Sequence, residues 1–207
     1  MVVGITGGIA SGKSAVTRIL REHGAVVFNA DDASRAVLTA GGAIMAAIVK
    51  AFGPEILERD GTLDRAALGR IIFSNAENRE RLNRIIHPAI LRLLRAQVDA
   101  AREDLPAGTL IVVEAPLLFE TNISGWFERI VVVAASKPTQ IARLIERNGL
   151  DEAEARRRLK SQWPIAEKMD RADFVIWNEG SLGDLDMAVE RLWEELVQLE
   201  PESARNW

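Results

Sequence analysis

Residues 2–14 read VVGITGGIASGKS, and this stretch decides the fold. A short β-branched run ends at Thr6, residues 7–14 fit the pattern G-x-x-x-x-G-K-[ST], and a helical pattern follows at once. Glycine has no Cβ, so backbone N–H groups can approach phosphate oxygens closely, and these donors lie at the positive end of a helix. The stretch therefore predicts a strand, a phosphate-binding loop and a helix, which is the opening of an α/β fold.

The polar residues of this loop suggest how it would hold a nucleotide. We expect Lys13 to reach the β and γ phosphates, and Ser14 to bind the Mg²⁺ that bridges them and neutralises developing charge. The loop residues expected to bind the nucleotide are Gly8, Ile9, Ala10, Ser11, Gly12, Lys13, Ser14 and Ala15. A glycine-rich turn before an ordinary helix is the alternative, but the strand and the helix on either side favour a phosphate site.

The composition is typical of a globular protein. The chain has 207 residues, of which 48% are apolar and 27% are charged. No apolar run is long enough to span a membrane, and Met1 directly precedes the first strand. We therefore expect neither a transmembrane segment nor a signal peptide, and a cytoplasmic location. The absence of cysteine excludes a thiolate nucleophile and disulfides, and two histidines are too few for a metal cluster.

The net charge of the chain is −4, and its acidity is concentrated near the C-terminal end. Residues 178–207 contain eight Asp and Glu against two Arg. An acidic balance argues against a nucleic-acid partner. The remainder of the chain is slightly positive, so a binding site elsewhere in the chain can still be basic.

A helix and a second strand follow directly from the loop. Apolar residues at helical spacing predict a helix over about residues 13–23, and residues 25–28 form a compact apolar run typical of a buried strand. This is a βαβ unit with a right-handed crossover, and its second strand leads into NADD at residues 29–32. Ligands of parallel sheets bind beyond the carboxyl ends of the strands, so Asp31 is a candidate catalytic residue, unless it merely caps the next helix.

Residues 30–109 contain no convincing strand. Helical patterns cover about residues 43–52, 62–73 and 75–86, and Pro88 is well placed to open a further helix at its first turn. The segment is too long for a plain crossover between strands. We interpret it as a helical insertion beside the sheet that holds a second substrate.

An apolar strand at residues 110–113 is followed by Glu114. This pattern is typical of a Walker B element, whose carboxylate supports Mg²⁺, although many strands end in an acid without that role. Further apolar strands are predicted at residues 130–133 and 174–177. After a last amphipathic helix, we expect residues 200–207 to fray.

The segment 139–172 is rich in arginine. Two predicted helices that meet at residues 148–149 would form a hinged flap over a polyphosphate, since Arg can chelate phosphate oxygens and closure excludes water. Arg143 and Arg147 lie one helical turn apart and are the expected inward pair. For most of the other basic residues, a solvated helix face is the simpler interpretation.

Short motifs are spread over nearly the whole chain. They are Thr6-Gly7-Gly8-Ile9, Ser11-Gly12-Lys13-Ser14, Ala30-Asp31 with Arg35, Gly61-Thr62-Leu63-Asp64-Arg65 with Leu68, Ile72-Phe73, Leu82-Asn83, His87-Pro88, Pro116-Leu117-Leu118-Phe119-Glu120, Arg158 with Gln162, Glu167-Lys168, Ala172-Asp173 and Asn178-Glu179-Gly180. Together these motifs resemble the dephospho-coenzyme A kinase family. Many kinases share the phosphate loop, whereas His87-Pro88 together with residues 116–120 is much more particular.

The resemblance implies an α/β fold, with a P-loop kinase-like three-layer αβα core, a five-stranded parallel sheet, a helical acceptor-binding insertion and a helical lid. The nucleotide-binding core would comprise residues 1–29, 110–138 and 173–207, the acceptor (CoA) domain residues 30–109, and the lid residues 139–172. The implied activity is ATP-dependent phosphorylation of the ribose 3′-hydroxyl of dephospho-CoA to give coenzyme A and ADP, with Mg²⁺. This is the last step of CoA biosynthesis. We expect no nucleic-acid or membrane partner, and a monomer or a weak homo-oligomer.

The resemblance also assigns roles to residues at matching positions. The expected catalytic residues are Asp31, as the base beside the acceptor hydroxyl, Lys13 and Arg143. Beyond the phosphate loop, the expected ATP-binding residues are Arg147, Asn178 and Gly180. The expected acceptor-binding residues are Asp31, Arg35, His87 and Leu117, although a histidine before a proline could simply cap a helix. The expected metal ligands are Ser14 and Glu114.

Three positions depart from the pattern of the family. Asn29 replaces an aspartate, which removes one carboxylate but leaves Asp31 as the base, and Glu114 could supply the missing charge near Mg²⁺. Ala15 replaces a threonine found in many relatives, but its backbone N–H remains available to phosphate. Asn148 stands where the lid often has an aspartate.

Two other classes of function fit part of the sequence. A nucleoside or nucleotide monophosphate kinase has the same loop and lid and differs in its acceptor. A non-catalytic nucleotide-binding switch is the second alternative, although the Asn-Lys-x-Asp run with which such GTP-dependent proteins read guanine does not occur here. A domain that only binds ATP belongs to the same non-catalytic class.

Overall fold

The computed structural model of the chain describes residues 1–39 and 42–199, without the side chains of Phe73 and Ser74. The tail that we expect to fray, residues 200–207, lies outside these ranges.

The chain divides into two compact units. The first, called here the core unit, comprises Met1–Phe28 and Ala101–Trp207, and the second, the helical unit, comprises Asn29–Ala100. The finer division of the chain into nucleotide core, acceptor domain and lid stays a prediction.

A five-stranded parallel sheet lies at the centre of the fold, with strand order β2-β3-β1-β4-β5. The strands are β1 (Val2–Gly7), β2 (Val26–Asn29), β3 (Ile111–Glu114), β4 (Arg129–Ala134) and β5 (Phe174–Trp177). β1 pairs in parallel with β3 and β4, and β4 pairs in parallel with β5, so the carboxyl ends of these strands lie at the same end of the sheet. The α/β fold expected from the alternation of apolar runs and helical patterns is confirmed.

Residues 1–39 and 42–199 contain nine α-helices. They are α1 (Lys13–Glu22), α2 (Ala30–Thr39), α3 (Gly42–Phe52), α4 (Arg65–Ser74), α5 (Ala76–Asp104), α6 (Lys137–Asn148), α7 (Glu152–Lys160), α8 (Ile165–Met169) and α9 (Leu182–Gln198). α1 and α9 pack together with the sheet in one apolar cluster, where Val16, Leu20, Val189 and Leu196 are fully buried. This packing fixes the N-terminal end of α1, and therefore the phosphate loop, against the strands.

The structure corrects the prediction that Pro88 opens a new helix. α5 runs from Ala76 to Asp104 with Pro88 inside it. Proline has no N–H, and its ring crowds the carbonyl four residues earlier, so helix interiors normally exclude it. Buried residues at four-residue spacing continue on both sides of the proline, so burial of one continuous face outweighs the lost hydrogen bond. These residues are Leu82, Ile86, Ile90, Leu94 and Val98.

Three α-helices lie between β4 and β5, where the sequence predicted two. The hydroxyl of Ser136 caps α6 by accepting a hydrogen bond from the Thr139 N–H, and Gly149, which has a left-handed backbone, follows the last residue of α6. The side chain of Asp151 caps α7. The third helix, α8, has five residues, which is too short for its apolar spacing to be recognised.

Within residues 1–39 and 42–199, no single helix is both long and apolar enough to cross a membrane. The bent pair α2 and α3 reaches the required length and composition only when the two helices are combined, which is weak evidence for a span.

Candidate active site

The predicted phosphate loop connects β1 to α1. Gly7 is the last residue of β1 and Lys13 is the first residue of α1. Gly12 has a left-handed backbone with φ of 97°, and a Cβ there would lie 2.0 Å from Nδ2 of Asn178. Glycine is therefore required, because a side chain would be strained and would displace Asn178. The loop ends at the N-terminus of α1, which favours anions.

Side chains hold four consecutive carbonyl groups of this loop. Lys13 Nζ donates to Gly8 O at 2.8 Å, Gln140 Nε2 to Ile9 O at 2.7 Å, Arg143 Nη1 to Ala10 O at 3.4 Å, and Asn178 Nδ2 to Ser11 O at 2.9 Å. A trans peptide is planar, so a carbonyl that points one way directs the following N–H the other way. The four bonds therefore fix the directions of the N–H groups of residues 9–12.

Two glutamines hold Ile9 from both sides. Gln140, in α6, donates to its carbonyl oxygen, and Oε1 of Gln162, between α7 and α8, accepts from its N–H at 2.8 Å. The segment that the sequence predicts as a lid is thus joined to the phosphate loop through the backbone of one residue.

Lys13 lies within the loop rather than in solvent. Its side chain is largely buried, and Nζ lies 2.8 Å from Gly8 O and 3.5 Å from Gly7 O. The ammonium group is thus held over the start of the loop, where we expect phosphate oxygens. An ammonium that is already largely removed from water interacts more strongly with an arriving anion than an exposed one.

Ser14 and Glu114, the expected metal ligands, lie within hydrogen-bond distance of each other. Ser14 Oγ donates to Glu114 Oε1 at 3.1 Å, and Thr17 Oγ1 donates to Oε2 at 2.9 Å. A hydroxyl and a carboxylate are the hard oxygen ligands that Mg²⁺ prefers, and Mg²⁺ is usually held by one or two protein groups together with substrate phosphates. Across the described residues, no group of three or more His, Asp or Glu side chains forms a metal cage. The donor set therefore fits an Mg²⁺ that is shared with a nucleotide.

The two arginines predicted to face the site differ in their surroundings. Arg143 is half-buried and also donates through Nη2 to the carbonyl oxygen of Asn178 at 3.0 Å, so it links the loop to the end of β5. Arg147 is exposed, and its Nε donates to the side chain of its neighbour Asn148 at 3.1 Å. The structure thus brings Arg143 to the phosphate loop and leaves Arg147 at the surface of α6.

The turn after β5 is tied to the loop and to α6. Asn178 is buried and bonds to the loop. The carboxylate of Glu179 accepts hydrogen bonds from the Ser136 N–H and from the Thr139 hydroxyl at the N-terminus of α6. The hydrogen bond from the Ser136 N–H has the largest effect on this carboxylate, and together the bonds hold the pKa of Glu179 below its ordinary value. Gly180 follows directly, and a Cβ on it would lie 2.6 Å from Oδ2 of Asp184.

The run 116–120, which contains the predicted acceptor residue Leu117, rests on a buried ion pair. Lys168 Nζ lies 2.7 Å from Glu120 Oε1 and donates to Pro116 O at 3.0 Å, with the lysine side chain fully buried. Thr6 Oγ1, at the end of β1, donates to the same carbonyl at 3.2 Å. This network fixes the segment after β3 against the strand that leads into the phosphate loop, with Leu117 half-buried in it.

The remaining predicted residues belong to the helical unit. Asp31 lies exposed in the first turn of α2, and its N–H donates to Oδ1 of Asn29 at 2.7 Å. Asn29 thereby satisfies a free N–H at the start of the helix. Arg35 Nη1 lies 3.0 Å from Asp32 in an exposed pair. His87, in α5, is half-buried, and desolvation lowers the pKa of its imidazole, so the neutral ring is favoured.

Sequence reasoning missed several residues that build this site. Thr17, which shares the Glu114 carboxylate, and Gln140 were not singled out, and Gln162 and Lys168 appeared only as parts of motifs. One signal was available for Gln140, because it precedes Arg143 by three residues and so shares its helix face. A lone glutamine or threonine in a helix otherwise carries no indication of function.

The chain is similar to known proteins over most of its length. Residues 1–184 match the sequence model of the family described as CoaE, dephospho-CoA kinase. A dephospho-CoA kinase of Geobacillus kaustophilus is 44% identical over 200 residues, which cover 95% of this chain and 98% of the relative. Among solved structures, a protein of Thermus thermophilus has a TM-score of 0.77 at 35% identity and covers 95% of this chain and 97% of its own. A dephospho-CoA kinase from Campylobacter jejuni has a TM-score of 0.63 at 27% identity and covers 94% of this chain and 96% of its own.

Proposed function

Since the chain belongs to the dephospho-CoA kinase family and uses ATP to phosphorylate dephospho-CoA, we propose that the loop between β1 and α1 is the site at which the γ-phosphate is transferred. The observation that carries this proposal is the set of four side chains that fix the loop carbonyls. A loop whose carbonyl groups are held in this way needs little reorganisation to bind phosphate oxygens, apart from the Ile9 N–H, which would exchange Gln162 for a phosphate oxygen. Such preorganisation is a large part of phosphoryl-transfer catalysis.

The reaction requires an acceptor hydroxyl, a leaving group and a route for one proton. The 3′-hydroxyl oxygen of the ribose attacks the γ-phosphorus, the bond from that phosphorus to the β–γ bridging oxygen breaks, and ADP leaves. The hydroxyl proton passes to the Asp31 carboxylate. Lys13 stabilises the β and γ oxygens, and Arg143 is placed at the loop to stabilise the transferring group.

Ser14 and Glu114 would hold Mg²⁺ in this arrangement. When bound, the ion supplies positive charge to the β and γ phosphates. The carboxylate of Glu114 would keep the Ser14 hydroxyl oriented, because it accepts a hydrogen bond from that hydroxyl and leaves the oxygen lone pairs available for the ion.

The acceptor side of the proposal rests on the helical unit. Asp31 lies two residues beyond β2, at the carboxyl end of a strand, which supports its role as base. Arg35 and His87, with Leu117 from the core unit, are proposed to bind dephospho-CoA. Arg147, Asn178 and Gly180 are proposed to complete the ATP site. ATP as the phosphoryl donor favours a cytoplasmic enzyme, and the expected monomer or weak homo-oligomer can be checked by light scattering.

A panel of acceptors tests the assignment. Dephospho-CoA, AMP and adenosine are each incubated with Mg²⁺ and ATP, ADP release is measured, and the position of the new phosphate is read by NMR. Phosphate on the ribose 3′-oxygen of dephospho-CoA is the expected product. Equal or faster turnover of AMP or adenosine would instead support a nucleotide or nucleoside kinase. ATP binding without acceptor-dependent ADP release would support a non-catalytic domain.

A further inference from the structure

Ala10 has a backbone conformation that an alanine rarely adopts. Its φ is 56°, and within the described residues Asn122 is the one other non-glycine residue with a positive φ. The left-handed region brings Cβ close to the following carbonyl oxygen, so the surrounding structure must impose it. In the phosphate loop, this conformation sets the relative directions of the two peptide groups that flank Ala10.

Two side chains of α6 hold those two peptide groups. Gln140 Nε2 donates to Ile9 O at 2.7 Å, which fixes the peptide before Ala10. Arg143 Nη1 donates to Ala10 O at 3.4 Å, which fixes the peptide after it. Gln140 and Arg143 lie about one turn apart on α6, so one face of this helix holds two adjacent peptide groups of the loop.

The Gln140 contact is built into the loop rather than incidental. The side chain is 3% exposed, and a Cβ on Gly8 would lie 2.1 Å from its Nε2. The amide therefore fills the space that the absent side chain of Gly8 leaves. A buried amide of this kind is retained only where its hydrogen bonds are made.

We propose that Gln140 is a positioning residue for phosphoryl transfer, which holds the Ile9 carbonyl so that the Ala10 N–H points toward the bound triphosphate. The inference rests on the proposed function, because it assumes that the loop binds the triphosphate of ATP. Arg143 acts on the transferring group and on the loop together. Gln140, a neutral group, acts only through the backbone.

The first test replaces the hydrogen-bond donor. Gln140→Met keeps the length of the side chain and removes its donor, and we expect the Kd for ATP, measured by titration calorimetry without acceptor, to rise roughly tenfold. The KM for ATP should rise in parallel, while the KM for dephospho-CoA at saturating ATP stays within about twofold. An unchanged Kd for ATP would overturn the inference.

The second test uses Ala10. Glycine adopts the left-handed conformation without strain, so in an Ala10→Gly background the loop needs less support from Gln140. We expect Gln140→Met to weaken ATP binding no more than about threefold in that background. A merely structural glutamine would cost the same factor in both backgrounds, and that result would contradict the proposal.

A third variant covers the possibility that Gln140→Met does not fold. Gln140→Glu keeps the shape of the side chain, and it can donate to Ile9 O only when the carboxyl is protonated. Burial disfavours the charged form and should raise the pKa of this glutamate above its ordinary value of about 4.3. The ratio of its Kd for ATP to that of wild type should therefore decrease as the pH falls from about 8 to about 5. A ratio that does not change with pH would count against the proposal.

Leu196→Val is the matched control. Leu196 is fully buried in α9, so the variant lowers thermal stability, and its Kd for ATP is expected to match wild type. Failure of the proposed function would give a result that differs from failure of the inference about Gln140. Wild type would then bind ATP without phosphorylating dephospho-CoA, and the comparison of ATP affinities would still decide the role of Gln140.

Discussion

Nδ2 of Asn178 donates a hydrogen bond to the carbonyl oxygen of Ser11 at 2.9 Å, although the two residues are 167 positions apart in the chain. The contact joins the turn after the edge strand β5 to the phosphate loop after the central strand β1. The side chain of Asn178 occupies the space that a Cβ on Gly12 would need, so the loop conformation and the end of β5 depend on each other.

Asn178→Ala removes this donor and leaves Ser11 O with the longer contact from Arg143. We expect the KM for ATP to rise roughly tenfold and kcat to change less, because the loop loses order before the nucleotide binds. Steady-state kinetics at saturating dephospho-CoA measure both constants. Val175→Thr, at an exposed site on the same strand, is the control and should behave as wild type. A rise in KM for the acceptor alone would contradict the assignment.

Lys13→Ala is expected to lower turnover at least as much as Asp31→Asn. The transition state of phosphoryl transfer is loose and spreads its charge over the equatorial oxygens, so positioning and cations contribute more than the base. Asp31→Asn should reduce kcat by about 10²–10⁴-fold. Single-turnover rates with both substrates saturating give the comparison. Near-normal turnover of Asp31→Asn under those conditions would show that Asp31 is not the base.

Glu114→Gln should raise the Mg²⁺ concentration needed for half-maximal activity by about 10–100-fold, because the Ser14 hydroxyl loses its carboxylate partner. A magnesium titration of the initial rate measures the shift. Glu128→Gln is the matched control, since Glu128 is a buried acid that accepts a hydrogen bond from the Val2 N–H and pairs with Arg102. Equal Mg²⁺ requirements in the two variants would remove Glu114 from the metal site.

Lys168→Met should lower the free energy of unfolding by about 3–5 kcal/mol, because it leaves the largely buried carboxylate of Glu120 without its partner. Urea denaturation measures the loss. The double variant Lys168→Met with Glu120→Gln removes the stranded charge and is expected to recover part of the stability. If the double variant were less stable than the single one, the uncompensated charge of Glu120 would not be the cause of the loss.

His87 should make stability depend on pH. Desolvation lowers its pKa in the folded chain, whereas the ordinary value is 6.5. Below that value the unfolded chain binds more protons than the folded chain, so the free energy of unfolding falls as pH decreases from 6.5 toward the lowered pKa. The Tm of His87→Gln should therefore fall less than that of wild type as the pH is lowered from 6.5 toward the lowered pKa. Thermal unfolding at several pH values tests this, and identical slopes would refute it.

The strands and the phosphate loop could be predicted because each depends on a pattern of residues that are close together in the sequence. Residues 174–177 were placed without error, and the first helix to within one residue, since apolar runs and glycines act over a few residues. The prediction that Pro88 opens a helix was wrong because the continuity of α5 depends on tertiary packing. The local signal of Pro88 favours a helix start, whereas the continuous buried face on both sides depends on packing that a short window does not contain.

The long-range contacts of the site could not be predicted from the residues alone. Gln140 contacts Ile9 across 131 positions, and Ser14 contacts Glu114 across 100. Glu114 was identified because a strand that ends in an acid is a recognisable pattern, and Gln140 has no such pattern. The sequence also does not distinguish the two arginines, because Arg143 and Arg147 lie one turn apart on α6. They differ in their tertiary contacts, since Arg143 bonds to the phosphate loop and Arg147 to its neighbour Asn148.

On the proposed role of Ile9 in binding ATP, its N–H, which donates to Gln162 here, would favour anionic ligands over neutral ones. A neutral competitor that reached this donor would exchange the amide oxygen of Gln162 for another uncharged oxygen and would gain little. An anionic oxygen gains a charge-assisted hydrogen bond in the same exchange. Inhibitors that mimic the sugar and base but lack a negative group at this position would therefore leave Gln162 in place and compete poorly with the nucleotide.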